Sequence, residues 1–353
     1  MVRLKPPIRF GILSYAMYHS NFWSDAVNKS DLGVLVGCWD DDPERGRQKA
    51  EEHKTTFYAD LADLLHECDA VGITSETVKH PELVEAAAAA GVHVLCEKPI
   101  AADLAGCQRI EAAVRRSGIV YQQSFPKRFD PINHQLMEIV RSGKLGKLAL
   151  VRVRHGHYYG VQAGALPAWH HDRALSGGGA LLDEGIHAAD FLNWFFGRPA
   201  TVKAYVSNAT FGEEVEDTAL AIFKYPDGML AELSTSNGML AAENSIEVFG
   251  SKGSAIISGV DLASRDLVER GYLKYFSANP PINPVERRWT MVDEVPFFKR
   301  GIFHQQNPLS FLRCLAEGSE PPVTLADGRN SLRMILAAYR AAETGQEVEV
   351  FPA

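Results

Sequence analysis

The sequence predicts an α/β chain of two constructions: a doubly wound parallel sheet at the N-terminus, then an α+β domain with a large, mostly antiparallel open sheet. Three observations carry this expectation. Short β-branched or apolar runs alternate with helical patterns through the first third of the 353 residues. After about residue 147 that rhythm gives way to long alternating stretches. Two turn signals, Pro226-Asp227-Gly228 and Gly250-Ser251-Lys252-Gly253, each separate such stretches, as antiparallel hairpins require.

The elements follow in order. Ile8-Arg9-Phe10-Gly11-Ile12-Leu13 is a strand, and the polar, aromatic stretch to Ala26 a helix. The run from Leu32 to Trp39 is the second strand, closed by Asp40-Asp41-Asp42-Pro43, an acidic cap with proline that opens a charged helix from Glu44 to His53. A helix over 60–67, a buried strand over 70–74, a helix over 81–90 and a strand over 93–96 continue the alternation. Strands and helices at this spacing imply right-handed crossovers with helices on both sheet faces. Further on, 148–159, 201–211 and 220–225 alternate as strands, and a helix over 327–344 stops at Gly345, a natural C′ residue. The expected domains are 1–125 and 126–353, with the C-terminal segment able to pack back on the first.

Composition narrows the function. Hydrophobic residues at 46% and charged residues at 23% fit an ordinary globular protein, so disorder and low complexity are excluded. Lys plus Arg total 36 against 44 Asp plus Glu, and the resulting −8 argues against a nucleic-acid partner. Cys38, Cys68, Cys96, Cys107 and Cys314 include no C-x-x-C pair, which argues against a disulfide framework or zinc ribbon and suits a cytoplasmic protein. No apolar run approaches the ~18 residues of a membrane span, and the start has no signal-peptide core.

Ligands of a parallel sheet bind beyond the carboxyl ends of its strands. Those positions here are Ser14 to His19, Asp40 to Asp42, Ser75 to His80, and Glu97 to Pro99. In a dinucleotide site the first turn carries G-x-G-x-x-G, and Ser14-Tyr15-Ala16-Met17-Tyr18-His19 lacks all three glycines. Asp40, after the second strand, is placed to accept from the ribose hydroxyls of NAD and repel a 2′-phosphate, although Asp40 to Asp42 serve equally well as helix caps.

Val92-His93-Val94-Leu95-Cys96-Glu97-Lys98-Pro99 closely resembles the strand and Glu-Lys-Pro motif of the Gfo/Idh/MocA oxidoreductases. His80, Arg128-Phe129-Asp130-Pro131, and the stretch from Gly177-Gly178-Gly179 through Asp183-Glu184-Gly185-Ile186-His187 to Asp190 match further elements in the family's order. The resemblance covers essentially the whole chain. It implies a Rossmann-type domain holding NAD(P), with Asp40 favouring NAD over NADP, and a sheet domain that covers the nicotinamide. Carried over by motif, Lys98, Asp183 and His187 form the catalytic set. Ser14, Tyr15, Ala16, Asp40, Asp41, Ser75, Glu76, His80, Glu97 and Lys98 contact the cofactor. At i, i+4 on one helix, Asp183 and His187 would share a face. The backbone N–H groups of the Ser14 to His19 turn are expected to face the pyrophosphate.

The resemblance implies oxidation of a secondary alcohol, with His187 as general base, Lys98 stabilising the alkoxide or sharing the proton transfer with His187, and Asp183 fixing the imidazole or binding a neighbouring hydroxyl. Arg128, His157, Tyr159, Trp169, Asp183 and His187 are the candidate substrate residues. Arg128, Lys299 and Arg300 would suit an anionic group. Alternation puts His155, His157 and Tyr159 on one face, a polar stripe rather than a metal site, since the histidine spacing fits no compact ligand motif. Sugars, polyols, inositols and cyclic dihydrodiols all suit this arrangement. Two other readings are a redox-neutral elimination or hydrolysis with transient use of NAD, and a sugar- or dinucleotide-sensing regulator. A homodimer or homotetramer through the C-terminal sheet is expected, because a one-faced sheet leaves apolar surface uncovered.

Overall fold

A computed structural model describes residues 3–157, 166–239, 245–258, 272–277, 288–292 and 302–352. The chain forms two compact units. The first comprises Met1–Pro126, Pro167–Gly177 and Gly301–Leu332; the second comprises Lys127–Leu166, Gly178–Arg300 and Arg333–Ala353.

In the first unit, β1 (Ile8–Leu13), α1 (His19–Asn28), β2 (Gly33–Trp39), α2 (Pro43–His53), α3 (Leu61–Glu67), β3 (Ala70–Ile73), α4 (His80–Ala89), β4 (His93–Cys96), α5 (Leu104–Ser117) and β5 (Tyr121–Gln123) follow one another. The five strands are parallel in the order β2-β1-β3-β4-β5. Phe57 makes a single parallel bridge to Cys38 outside β2. A strand at that place would complete the doubly wound order 3-2-1-4-5-6, so the Rossmann sheet is present with its third strand reduced to one residue. Asp42 caps α2 through Glu44 and Arg45 N–H groups, with Pro43 in the first turn, as the acidic run predicts.

Strands β2 and β3 are apolar throughout, and β1 and β4 carry one polar residue each, as helices on both faces of a sheet require. Ile8, Phe10, Ile12, Trp23, Phe311, Leu312 and Leu315 share one core cluster. The last three lie on α10 (Ile302–Glu317), a late segment of the chain that completes this early core. Gln122 secures it, its amide donating to Asn307 O at 2.9 Å and Ser310 Oγ at 3.0 Å.

Among the described residues the second unit is built on nine strands: β6 (Leu148–Arg154), β7 (Thr201–Ser207), β8 (Thr218–Lys224), β9 (Leu230–Ser236), β10 (Ser245–Gly250), β11 (Gly253–Ser258), β12 (Tyr272–Ser277), β13 (Thr290–Val292) and β14 (Val348–Glu349). Their order is β13-β12-β11-β10-β6-β9-β8-β7-β14, and the pair β6–β9 is parallel in an otherwise antiparallel sheet. The two turn signals fall in the hairpins β8–β9 and β10–β11 as expected. Strands β7 and β8 end earlier and start earlier, respectively, than their alternation suggests, because Asn208 to Asp217 form a loop pinned by Asp217 accepting from Thr210 and Phe211 N–H. Helix α6 (Pro131–Arg141), capped by Asp130, and α9 (Gly185–Phe196) belong to this unit, as does α8 (Ala180–Asp183). The short α7 (Arg173–Ser176) falls in the first unit, and α11 (Leu325–Thr344) ends at Gly345, whose φ of +67° is the left-handed C′ geometry. Among the described residues no helix is long and apolar enough to cross a membrane.

Candidate functional site

The chain reverses between β1 and β3, which opens a crevice beyond their carboxyl ends. Ser14 leaves β1 with φ +70°, the left-handed conformation that the missing glycine would adopt. The turn therefore keeps the path of the fingerprint without its residues. Its donors, however, are engaged: Tyr15 N–H donates to Asp40 Oδ2 at 2.7 Å, Ala16 N–H to Ser14 Oγ at 3.1 Å, and Met17 N–H to Thr74 O at 2.9 Å. Three of the N–H groups expected to face a pyrophosphate are thus bonded within the protein. The Tyr15 ring is also turned away, stacked on His53 and bonded to Ser24 Oγ in the core. Burial raises the pKa of its phenol.

Asp40 stands at the end of β2 as predicted, yet its carboxylate is shared. Arg45, a residue not singled out from the sequence, binds it bidentately at 2.6 and 2.9 Å and reaches Ser14 Oγ at 3.3 Å. Arg45 also pairs with Asp41 at 3.2 Å, and Lys79 joins Asp41 to Glu76. Three carboxylates and two cations thus alternate beyond β2 and β3. Partial burial opposes ionisation of Asp41, but Lys79 and Arg45 outweigh it and hold its carboxyl below the usual range. Ser75 and Glu76 are both buried, Ser75 Oγ donating to Glu76 O.

After β4 the backbone around Lys98 is held from several sides. Glu97 Oε2 accepts from Lys98 N–H at 2.8 Å, Gln123 donates to Glu97 O at 2.9 Å, and His80 Nδ1 lies 2.9 Å from Pro99 O. His80 Nε2 faces Ser75 O at 3.3 Å, so the ring bridges backbone rather than facing a cofactor, which corrects its expected role. Burial lowers its pKa, favouring the neutral ring. Lys98 is itself buried.

His19, in place of the fingerprint's last glycine, puts Nδ1 3.0 Å from Glu97 Oε1, and its ring lies 3.8 Å from that of His304 on α10. Burial raises the pKa of Glu97, opposed by His304 and Lys98. Trp169, expected beside the substrate, instead donates to Ala16 O at 3.1 Å and stacks on His170, within the first unit.

In the second unit the glycine run performs a close approach. Glu216 accepts from Gly179 and Leu181 N–H at 3.0 Å and from Tyr339 Oη at 2.5 Å, while its own carbonyl takes Ala180 N–H. A Cβ on Gly179 would overlap the Glu216 backbone, and one on Gly178 the Tyr339 hydroxyl. Asp183 and His187 do not share one helix as expected. Helix α8 ends at Asp183, Glu184 forms a joint with φ −99°, and α9 begins at Gly185, with His187 N–H bonded to Glu184 O at 3.1 Å. The change to an i to i−3 bond tightens the turn and re-aims the intervening side chain. His187 is buried, and Asp183 half-buried.

Glu184, also missed from the sequence, faces the histidine stripe. One of its oxygens lies 2.9 Å from His155 Nε2 and 3.5 Å from His157 Nε2. The His187 ring stands edge-on to His155 at 5.4 Å. Two histidine–glutamate groups, His19/Glu97/His304 and His155/His157/Glu184, therefore have ligand atoms within 4.8 Å of one another. Arg128 departs from its expected role: it is buried, bidentate to Asp190 at 2.7 and 3.0 Å, and lies over the Trp194 ring. Tyr159, Lys299 and Arg300 lie outside the described residues.

Residues 8–125 match the model of an oxidoreductase family with an NAD-binding Rossmann fold, and residues 133–256 match the GFO/IDH/MocA C-terminal domain. The 1,5-anhydro-D-fructose reductase of Ensifer adhaerens is 27% identical, covering 93% of this chain and 94% of its own length. The myo-inositol 2-dehydrogenase of Thermotoga maritima is also 27% identical, over 91% and 92%. An aldose-aldose oxidoreductase from Caulobacter crescentus superposes with a TM-score of 0.80 at 26% identity, over 97% and 99% of the two chains. A levoglucosan dehydrogenase solved with NADH and levoglucosan shares the fold at TM-score 0.84 and 19% identity, over 98% and 100%. The chain belongs to the Gfo/Idh/MocA family of oxidoreductases.

Proposed function

We propose that this chain is an NAD-dependent dehydrogenase oxidising a secondary hydroxyl of a sugar, polyol, inositol or cyclic dihydrodiol. The observation that carries the reading is the retained set: Lys98 directly after β4 on a backbone held by Glu97, Gln123 and His80, with Asp183 and His187 flanking the α8–α9 joint. The relatives named above act on carbohydrates or inositol by their names. The path of the Ser14 turn and the carboxylates beyond β2 suit the adenosine end of a dinucleotide, with Asp40 and Asp41 disfavouring a 2′-phosphate.

Bound there, the nicotinamide supplies the acceptor for the two electrons that leave the substrate carbon. His187 takes the hydroxyl proton, Lys98 holds the developing alkoxide as a cation, and Asp183 fixes the imidazole or a neighbouring hydroxyl. The outward side of the second unit's sheet carries exposed Tyr205, Leu220 and Ile222, an apolar surface suited to a homodimer or homotetramer through that sheet.

The test is a set of hydroxylated substrates offered with NAD⁺, following nicotinamide reduction. Net reduction with at least one is expected, with kcat lowered about a hundredfold or more in His187→Ala, the range of a general base. A protein that binds NAD⁺ but reduces none, or one whose turnover survives His187→Ala, overturns the reading.

A further inference from the structure

The geometry points to a divalent transition-metal site in the second unit, with His155, His157 and Glu184 as ligands. His155 and His157 follow β6 in extended backbone, their N–H groups bonded to Ser234 O and Ser236 O at 3.0 Å each. That pairing fixes the i, i+2 alternation, so both imidazoles leave the same side of the strand. The α8–α9 joint brings Glu184 onto that side, and all three side chains are buried.

Ligand identity and distance agree. Two imidazoles and one carboxylate are the protein donors of many catalytic zinc sites, and of iron sites with the same three groups. Tetrahedral bonds of about 2.1 Å place ligand atoms about 3.4 Å apart. The nitrogen–oxygen separations of 2.9 and 3.5 Å lie on either side of that value. The His155 and His157 rings stand at 78° to one another, with centroids 5.5 Å apart, so their in-plane lone pairs can converge on one point.

The cluster in the first unit has similar composition but a different arrangement. His19 and His304 overlap with only 31° between ring planes, so their in-plane lone pairs run side by side. The favoured site is therefore the one beside His187.

The experiment treats the full chain with a chelator, removes the chelator, and titrates Co²⁺ alone, reading its visible absorption and the stoichiometry by elemental analysis. One ion per chain with the intense visible band of a tetrahedral site is expected, displaced by Zn²⁺. Glu184→Ala and His157→Asn should each weaken Co²⁺ binding by about a hundredfold or more, while His304→Ala leaves it unchanged. His157→Asn keeps the test open if Glu184→Ala does not fold, with cooperative thermal melting as the check on each variant. Absence of stoichiometric Co²⁺, or binding lost in His304→Ala and kept in folded His157→Asn, overturns the proposal. NAD⁺ binding is measured on the same protein by calorimetry, so failure of the cofactor reading is seen separately.

Discussion

Two helix entries, one in each unit, solve the same problem with opposite residues. The turn from Ser14 into α1 has lost its glycines, and side chains fill the space: Asp40 and Ser14 Oγ occupy N–H groups that a glycine loop leaves for a ligand. The run Gly177 to Gly179 has kept its glycines, and there the backbone approaches another strand's end closely enough for Glu216 to gather the first N–H groups of α8. The contrast teaches that gathered backbone donors are left for a ligand only where the protein has not supplied the acceptor itself. At α8 the acceptor is Glu216; in the turn before α1, a helix with no side-chain cap of its own, Asp40 and Ser14 Oγ take that place.

The glycine-rich entry is the one that should fail most when altered. Gly179→Ala pushes a Cβ into the backbone of Glu216, which cannot move aside as a flexible side chain could. A loss of about 3 kcal/mol is expected, as for overpacking at a fixed site. Glu216→Ala leaves two buried N–H groups and the Tyr339 hydroxyl without their shared acceptor, again about 3 kcal/mol. Urea unfolding measures both, and changes below about 1 kcal/mol would show that the α8 entry is not held as described.

The α1 entry should respond in ligand choice more than in stability. Asp40→Asn removes the charge that neutralises Arg45 but keeps an oxygen for the nearby N–H groups. Arg45, left with Asp41 as its one charged partner, then has charge to offer a 2′-phosphate, and the ratio of NAD⁺ to NADP⁺ affinity should move about tenfold toward NADP⁺, roughly 1.4 kcal/mol. Paired calorimetric titrations read this directly. An unchanged ratio would place the ribose away from Asp40.

The same contrast separates what the sequence could convey from what it could not. Strands β1 to β4, the cap at Asp42 and the hairpins at Asp227 and Ser251 were legible because each depends on residues within one or two turns of itself. The places of Asp40 and Lys98 just beyond β2 and β4 were legible because the strands themselves were. Glu216 was not, since its partners at Gly179 and Leu181 lie more than thirty residues away and nothing in Glu213 to Asp217 signals them. His304 reaches His19 through the packing of α10, a long-range event of the same kind. Arg45 was within reach: a cation shortly after an acidic strand end is a local signal, overlooked among the charges of α2. The helix break at Glu184 hid behind a regular i, i+4 spacing, so the residue between Asp183 and His187 passed for a bystander.

The smallest expected effect is also the sharpest, because it converts one entry toward the other. Ser14 sits at φ +70°, which costs a non-glycine residue about 1 kcal/mol, and glycine returns a similar amount through the greater freedom of the unfolded chain. Ser14→Gly should therefore leave stability within about 1 kcal/mol of the parent. It also removes the hydroxyl that accepts from Ala16 N–H and from Arg45, releasing a backbone donor at the mouth of the crevice. If that hydroxyl competes with the cofactor phosphate, NAD⁺ binding tightens about threefold, near 0.7 kcal/mol. If binding weakens instead, Ser14 Oγ is a contact to the dinucleotide, and the turn has replaced its glycine donors with a side chain that serves the same ligand.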